Sequence, residues 1–72
     1  MTKKTLQINV GKHIQKLREQ KGISQQDLAA KCNFEKSNLS RLEAGRVNPT
    51  LSTLEKVANA LDITLAELFT FN

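Results

Sequence analysis

Residues 24–45 read SQQDLAAKCNFEKSNLSRLEAG, and this stretch decides the fold. Leu28, Ala29 and Cys32 share one face of a first short helical segment, and Leu39 and Leu42 share one face of a second. Ser24 opens the first in capping-box fashion, with a hydroxyl set to accept from the Asp27 amide and a carboxylate at Asp27 that suits the positive helix end. Asn33 stands where the chain must turn; after glycine, asparagine best tolerates positive φ. Gly45 ends the second segment. Ala29 is small at the point where the second helix crosses the first. The result is two short helices joined by a tight turn.

The face of the second helix that the leucines leave outward carries Lys36, Ser37, Ser40 and Arg41, with Asn38 at its edge. None of these is a bulky apolar residue. Arginine can place two parallel donors on guanine O6 and N7, while lysine and serine reach bases or phosphate oxygens singly. The same surface on an arbitrary bundle would be an ordinary solvated face; next to a helix-turn-helix spacing it reads as a surface for a nucleic-acid groove. Gln25 and Gln26 open the first helix of the pair, where free amides and a positive dipole end favour a phosphate.

Outward from this core the chain reads as three further helices and no strand pair. Val10, Ile14 and Leu17 fall at helical spacing and Gly22 follows as a C-terminal cap. Pro49 blocks a continuous helix through Arg46–Pro49, and Thr50 then caps a segment with Leu51, Leu54, Val57, Ala58 and Leu61 at i, i+3, i+4, i+7 spacing. Thr64–Glu67 is a complete T-x-x-E capping box before Leu65, Leu68 and Phe69. The expected helices span about 9–21, 25–32, 36–44, 51–61 and 65–70, in a domain covering 9–72, with 1–8 as an N-terminal tail or arm. Helices this short hold only by packing on one another, so the fold class is a compact all-α five-helix bundle.

Composition agrees with this reading. Seventy-two residues make one domain with a modest core, for which oligomerisation is a common supplement. The net charge of +4 is unevenly spread: Met1–Arg46 holds ten Lys/Arg against four Asp/Glu, and Val47–Asn72 one against three. A basic front half suits a polyanion. No apolar run is long enough to span a bilayer and no secretory signal is visible, so the expected location is cytoplasmic with no membrane partner. A single cysteine, Cys32, cannot close an internal disulfide, and its place calls for core packing. His13 has no second ligand at metal spacing, and no nucleophile–base set or phosphate-cradling glycine loop is present. The expectation is therefore a non-enzyme with no cofactor, no metal and no small-molecule ligand.

Taken together, SQQDLAAKCNFEKSNLSRLEAGRVNPTLSTLEKVANAL resembles the Cro- and phage-repressor-type helix-turn-helix proteins, the XRE family, over roughly residues 9–70. The resemblance implies a lambda-repressor-like five-helix DNA-binding domain, with residues 35–45 as recognition helix in the major groove of double-stranded DNA. It implies base contacts from Lys36, Ser37 and Arg41, and phosphate contacts from Gln25, Asn38, Arg46 and Asn48, to which Gln26 and Ser40 are added. It also implies that Arg18 pairs with Glu43, which aims Arg18 near the DNA backbone and pins the recognition helix. The short build is similar to restriction–modification controller proteins and stand-alone repressors, and implies a homodimer on a palindromic operator. Leu65, Phe69 and Phe71 form the expected dimer interface, because Phe71 at the chain end has little left to pack against. An antitoxin-like protein-interaction module is the alternative. Two residues depart from the family pattern. Glu35 stands where the family has a Ser or Thr N-cap, and Asn33 replaces the usual glycine.

Overall fold

A computed structural model describes residues 2–71, with Met1 and Asn72, the ends of the expected arm and domain, outside the described residues. Five helices follow in order: α1 Lys3–Gln20, α2 Gln25–Cys32, α3 Lys36–Glu43, α4 Leu51–Ala60 and α5 Leu65–Leu68. The described residues contain no strand.

Helices α2, α4 and α5 begin where their cap residues predict. The Ser24 hydroxyl accepts from the Asp27 amide, Thr50 from Thr53, and Thr64 from Glu67. The Glu67 carboxylate returns to the Thr64 amide at 3.0 Å, which completes the capping box and holds that carboxyl below its usual range. Asn33 turns the chain out of α2 in the left-handed conformation (φ 58°, ψ 40°), as its residue type suggests. Asp62 makes the same turn after α4.

The N-terminal segment corrects the expectation of a tail or arm. Residues 3–8 are helical, and α1 begins six residues before the expected start. Thr2 caps it, its Oγ1 accepting from the Thr5 amide at 3.1 Å. The alternation of Thr5, Leu6, Gln7 and Ile8 is incidental; Leu6 instead continues the Val10, Ile14, Leu17 spacing backward by one turn.

Val10, Ile14, Leu28, Ala29, Cys32, Leu39, Leu42, Leu54, Val57, Leu61 and Leu68 form one buried cluster to which all five helices contribute. Cys32 sits in it and its Sγ donates to the Lys56 carbonyl at 3.7 Å, while burial pushes the thiol pKa up. Phe71 is the second correction. It is half-buried, packs on the core and lies against the His13 ring at 5.6 Å between centroids, so the chain end does have a partner. His13 Nε2 also donates to the Glu67 carbonyl at 3.1 Å, tying α1 to α5.

One contact fixes the α1–α3 crossing without any side chain. A Cβ built on Gly11 would stand 2.5 Å from the carbonyl oxygens of both Leu42 and Glu43. Glycine in a helix interior costs about 1 kcal/mol relative to alanine, and here it lets α1 lie directly on the end of α3. Gly11→Ala therefore gains helix propensity but forces two backbones apart, and a net loss of about 1–3 kcal/mol is expected from overpacking. Gly22→Ala is the comparison: its φ is +68° but nothing lies within 4 Å of the added carbon. It should lose only about 1 kcal/mol of backbone strain. Urea denaturation of both variants checks the order; a Gly11→Ala midpoint at or above that of Gly22→Ala would contradict the close crossing.

Candidate nucleic-acid interface

Helix α3 divides cleanly into two faces. Leu39, Leu42 and Glu43 are buried; Lys36, Ser37, Asn38, Ser40 and Arg41 are exposed. Positions 36 and 40, and 37 and 41, are each four apart, so the exposed groups form one surface about two turns long. Arg41 Nη2 donates to the Asn38 side-chain oxygen, which joins one expected base-contacting residue to one expected phosphate-contacting residue on that surface. The structure thus brings Lys36, Ser37, Asn38, Ser40 and Arg41 together. Exposed Arg46 and Asn48 follow in the loop after α3, and exposed Gln26 lies at the start of α2.

The inward face of α3 ends on a buried ion pair. Arg18 Nε donates to Glu43 Oε2 at 2.7 Å and Arg18 Nη2 to Glu43 Oε1 at 3.1 Å. The third arm of the guanidinium, Nη1, donates to the Ile23 carbonyl at 2.8 Å. The two side chains are 9% and 2% exposed, so the pair lies out of water. The hydrogen bond to Glu43 raises the Arg18 pKa above its already high value, so its charge persists at any working pH. The expected Arg18–Glu43 pair is present. Each of the three guanidinium nitrogens gives one N–H to protein, which leaves two of the five N–H donors for the phosphate expected of Arg18.

Gln25 is the residue whose place the sequence does not give. It is half-buried, and its Nε2 donates to Glu43 Oε1 at 2.9 Å. Its side chain links the start of α2 to the end of α3, while the backbone N–H groups of Gln25 and Gln26 open α2 without an intrahelical acceptor. Gly11 is missed altogether in the sequence; the one signal was a glycine inside a helical spacing. Glu35 is the N-cap of α3, is exposed and makes no side-chain capping bond, so the departure read in the sequence is also a structural one.

Leu65, Phe69 and Phe71 are not one exposed surface. Leu65 and Phe71 are partly buried against the core, while Phe69 remains 40% exposed. Among the described residues the exposed large apolar ones are Leu6, Leu51 and Phe69, which line a cleft of about 190 Å³ with Val10, Pro49 and Leu54.

A two-helix unit with a polar outer face, locked to the rest of the bundle from behind, defines a helix-turn-helix domain. The chain belongs to the helix-turn-helix family HTH_3, whose model matches residues 14–68. It is 43% identical to the uncharacterized HTH-type transcriptional regulator y4dJ of Sinorhizobium fredii, over 85% of this chain and 79% of that protein. The restriction–modification controller protein C.AhdI of Aeromonas hydrophila superposes with a TM-score of 0.84 at 37% identity, over 86% of this chain and 94% of that one. SinR, a master regulator for biofilm formation solved in complex with DNA, gives a TM-score of 0.75 at 38% identity, over 82% of this chain and 95% of that one. No helix among the described residues is long and apolar enough to cross a membrane.

Removing one member of the buried pair leaves an uncompensated charge inside the bundle. Glu43→Gln should therefore cost about 3–5 kcal/mol of stability, while Arg18→Met combined with Glu43→Leu should recover part of it. Thermal and urea unfolding check this; a single variant within about 0.5 kcal/mol of the parent would show that the pair is an ordinary surface bridge.

Proposed function

We propose that this chain is a sequence-specific DNA-binding transcriptional regulator that lays α3 in the major groove of double-stranded DNA. The observation that carries the reading is the division of α3. Five hydrogen-bonding side chains face solvent on one surface, while the opposite face is fixed by Leu39, Leu42 and a buried ion pair. A helix held that firmly from behind keeps its outer groups in one orientation, as base readout requires. Lys36, Ser37 and Arg41 read bases. Asn38, Ser40, Arg46, Asn48, Gln26 and the backbone N–H of Gln25 hold phosphates. The DNA-bound form of SinR and the controller protein C.AhdI, both similar to this chain, support the assignment.

Selection from random duplexes should enrich one sequence, and titration in rising salt should show a steep loss of affinity from released counterions. Arg41→Ala should cost about 1–3 kcal/mol and relax one base position; equal weakening on all sequences would make Arg41 a phosphate contact only. Failure to enrich any sequence would favour a protein-interaction module instead.

The working form is a twofold homodimer on a palindromic operator, with recognition helices about 34 Å apart, one DNA turn. Exposed Phe69, joined by Leu51 and Leu6, forms the centre of its interface, and Leu65 and Phe71 support it from below. Such a short domain gains stability by covering three large apolar side chains with a second copy. Sedimentation at tens of micromolar should find a dimer, and Phe69→Glu should give a folded monomer with unchanged helix content. A parent protein that sediments as a monomer would rule out this assembly.

A further inference from the structure

The helical start of α1 brings a second cationic feature to the end of α3. A Cβ on Gly45 would stand 2.7 Å from the Ile8 Cα, so the second turn of α1 lies directly against the chain leaving α3. Between them is an open cleft of about 610 Å³, lined by Lys4, Gln7, Ile8, Ala44, Gly45 and Arg46. Its charged groups are Lys4 and Arg46, both exposed. No carboxylate among the described residues lines it. The ion pairs recorded among the described residues involve only Arg18, with Glu19 and Glu43.

Two cations therefore face one cleft without a counter-charge. Lys4 moreover sits in the first turn of α1, where the helix dipole disfavours a positive side chain. The C-terminal end of α3 at Ala44 and Gly45 carries a partial negative charge that offsets these two cations only in part. An anion between Lys4 and Arg46 would offset both repulsions, and the Gln7 amide is at hand as a neutral donor. The Thr2 cap and the Gly45 contact fix the backbone that carries Lys4.

We propose that Lys4 and Arg46 together form the seat for one DNA backbone phosphate, which makes the first turns of α1 part of the DNA-binding footprint. The inference rests on the DNA-binding reading above. The seat adjoins the C-terminal end of α3, so the backbone bordering a groove that holds α3 passes beside it. It reads no base, and its contribution is equal on operator and random duplex.

The test uses the full chain and the sequence enriched by selection, with Lys4→Gln, Arg46→Gln and the double variant. Lys16→Gln removes a like charge from the separate cleft beside Phe71 and sets the background. Losing one phosphate contact should lower the slope of log affinity against log salt by about 0.9, beyond any change in Lys16→Gln. The double variant should weaken binding by less than the product of the two single effects, because both cations serve one phosphate. Ethylating that phosphate should weaken the parent protein and leave the double variant unaffected. If Lys4→Gln behaves as Lys16→Gln while Arg41→Ala still relaxes a base position, the seat is wrong and the DNA-binding reading stands. If the parent protein enriches no sequence and binds no duplex, both fall together.

Discussion

The bidentate bond between Arg18 and Glu43 is the constraint on which the placement of α3 depends. Taking two charges out of water is costly, and a buried pair is often no more stabilising than apolar residues of the same size. What the pair adds is direction. Two parallel bonds from a planar guanidinium allow one orientation of the Glu43 carboxylate, hence one rotation of α3 about its axis. The remaining guanidinium nitrogen is satisfied by the Ile23 carbonyl and the carboxylate by Gln25. No buried side-chain nitrogen or oxygen among the described residues lacks a partner. Three elements, α1, the start of α2 and the end of α3, thus meet at one carboxylate. Gly11 sets the distance between α1 and α3 where the ion pair sets the angle.

The two ends of α3 are held unequally as a result. The C-terminal end carries Leu42, Glu43 and the Gly45 contact with Ile8. The N-terminal end has Glu35 as a cap that supplies no side-chain bond to the first turn. A serine, threonine or aspartate cap is commonly worth about 1 kcal/mol, so α3 forgoes that stabilisation at the turn carrying Lys36 and Ser37. Arg41, in the anchored last turn, is the base-reading candidate whose backbone is best fixed. Its bond to Asn38 further restricts the guanidinium before any ligand arrives. Of the three proposed base-reading residues, Arg41 is thus held most firmly, and Lys36 and Ser37 lie on the less constrained turn.

The elements legible in the sequence are those whose signals are local. Caps at Ser24, Thr50 and Thr64, the Asn33 turn and the Leu39/Leu42 spacing each act within four residues, so they could be read without knowing the fold. The start of α1 was legible in principle from Leu6, but a period-2 alternation over four residues competed with it and won. Gln25 illustrates the opposite case. Its pairing with Glu43 spans eighteen positions and depends on how α2 meets α3, which no spacing encodes. Phe71 fails for the same reason, since its partner His13 lies on the far end of the chain. A terminal aromatic looks exposed until α1 is seen to pass beneath it.

The helical N-terminus also changes how the two surfaces of the domain relate. Successive residues in an α-helix advance by about 100°, so Lys4 and Leu6 point roughly 200° apart. Lys4 lines the cleft beside Arg46, and Leu6 lines the apolar cleft with Leu51 and Phe69. One rigid turn and a half therefore presents charge to the α3 side and apolar surface to the α4–α5 side. A flexible tail would supply either group at the cost of ordering it and would link the two surfaces only loosely. On a helix capped by Thr2 and seated on Gly45, a shift of α1 at the Leu6 side necessarily moves Lys4. Covering the apolar cleft with a second copy and seating a phosphate at Lys4 thus act on the same element. In the proposed dimer on DNA, self-association and phosphate binding would both bear on the first two turns of α1.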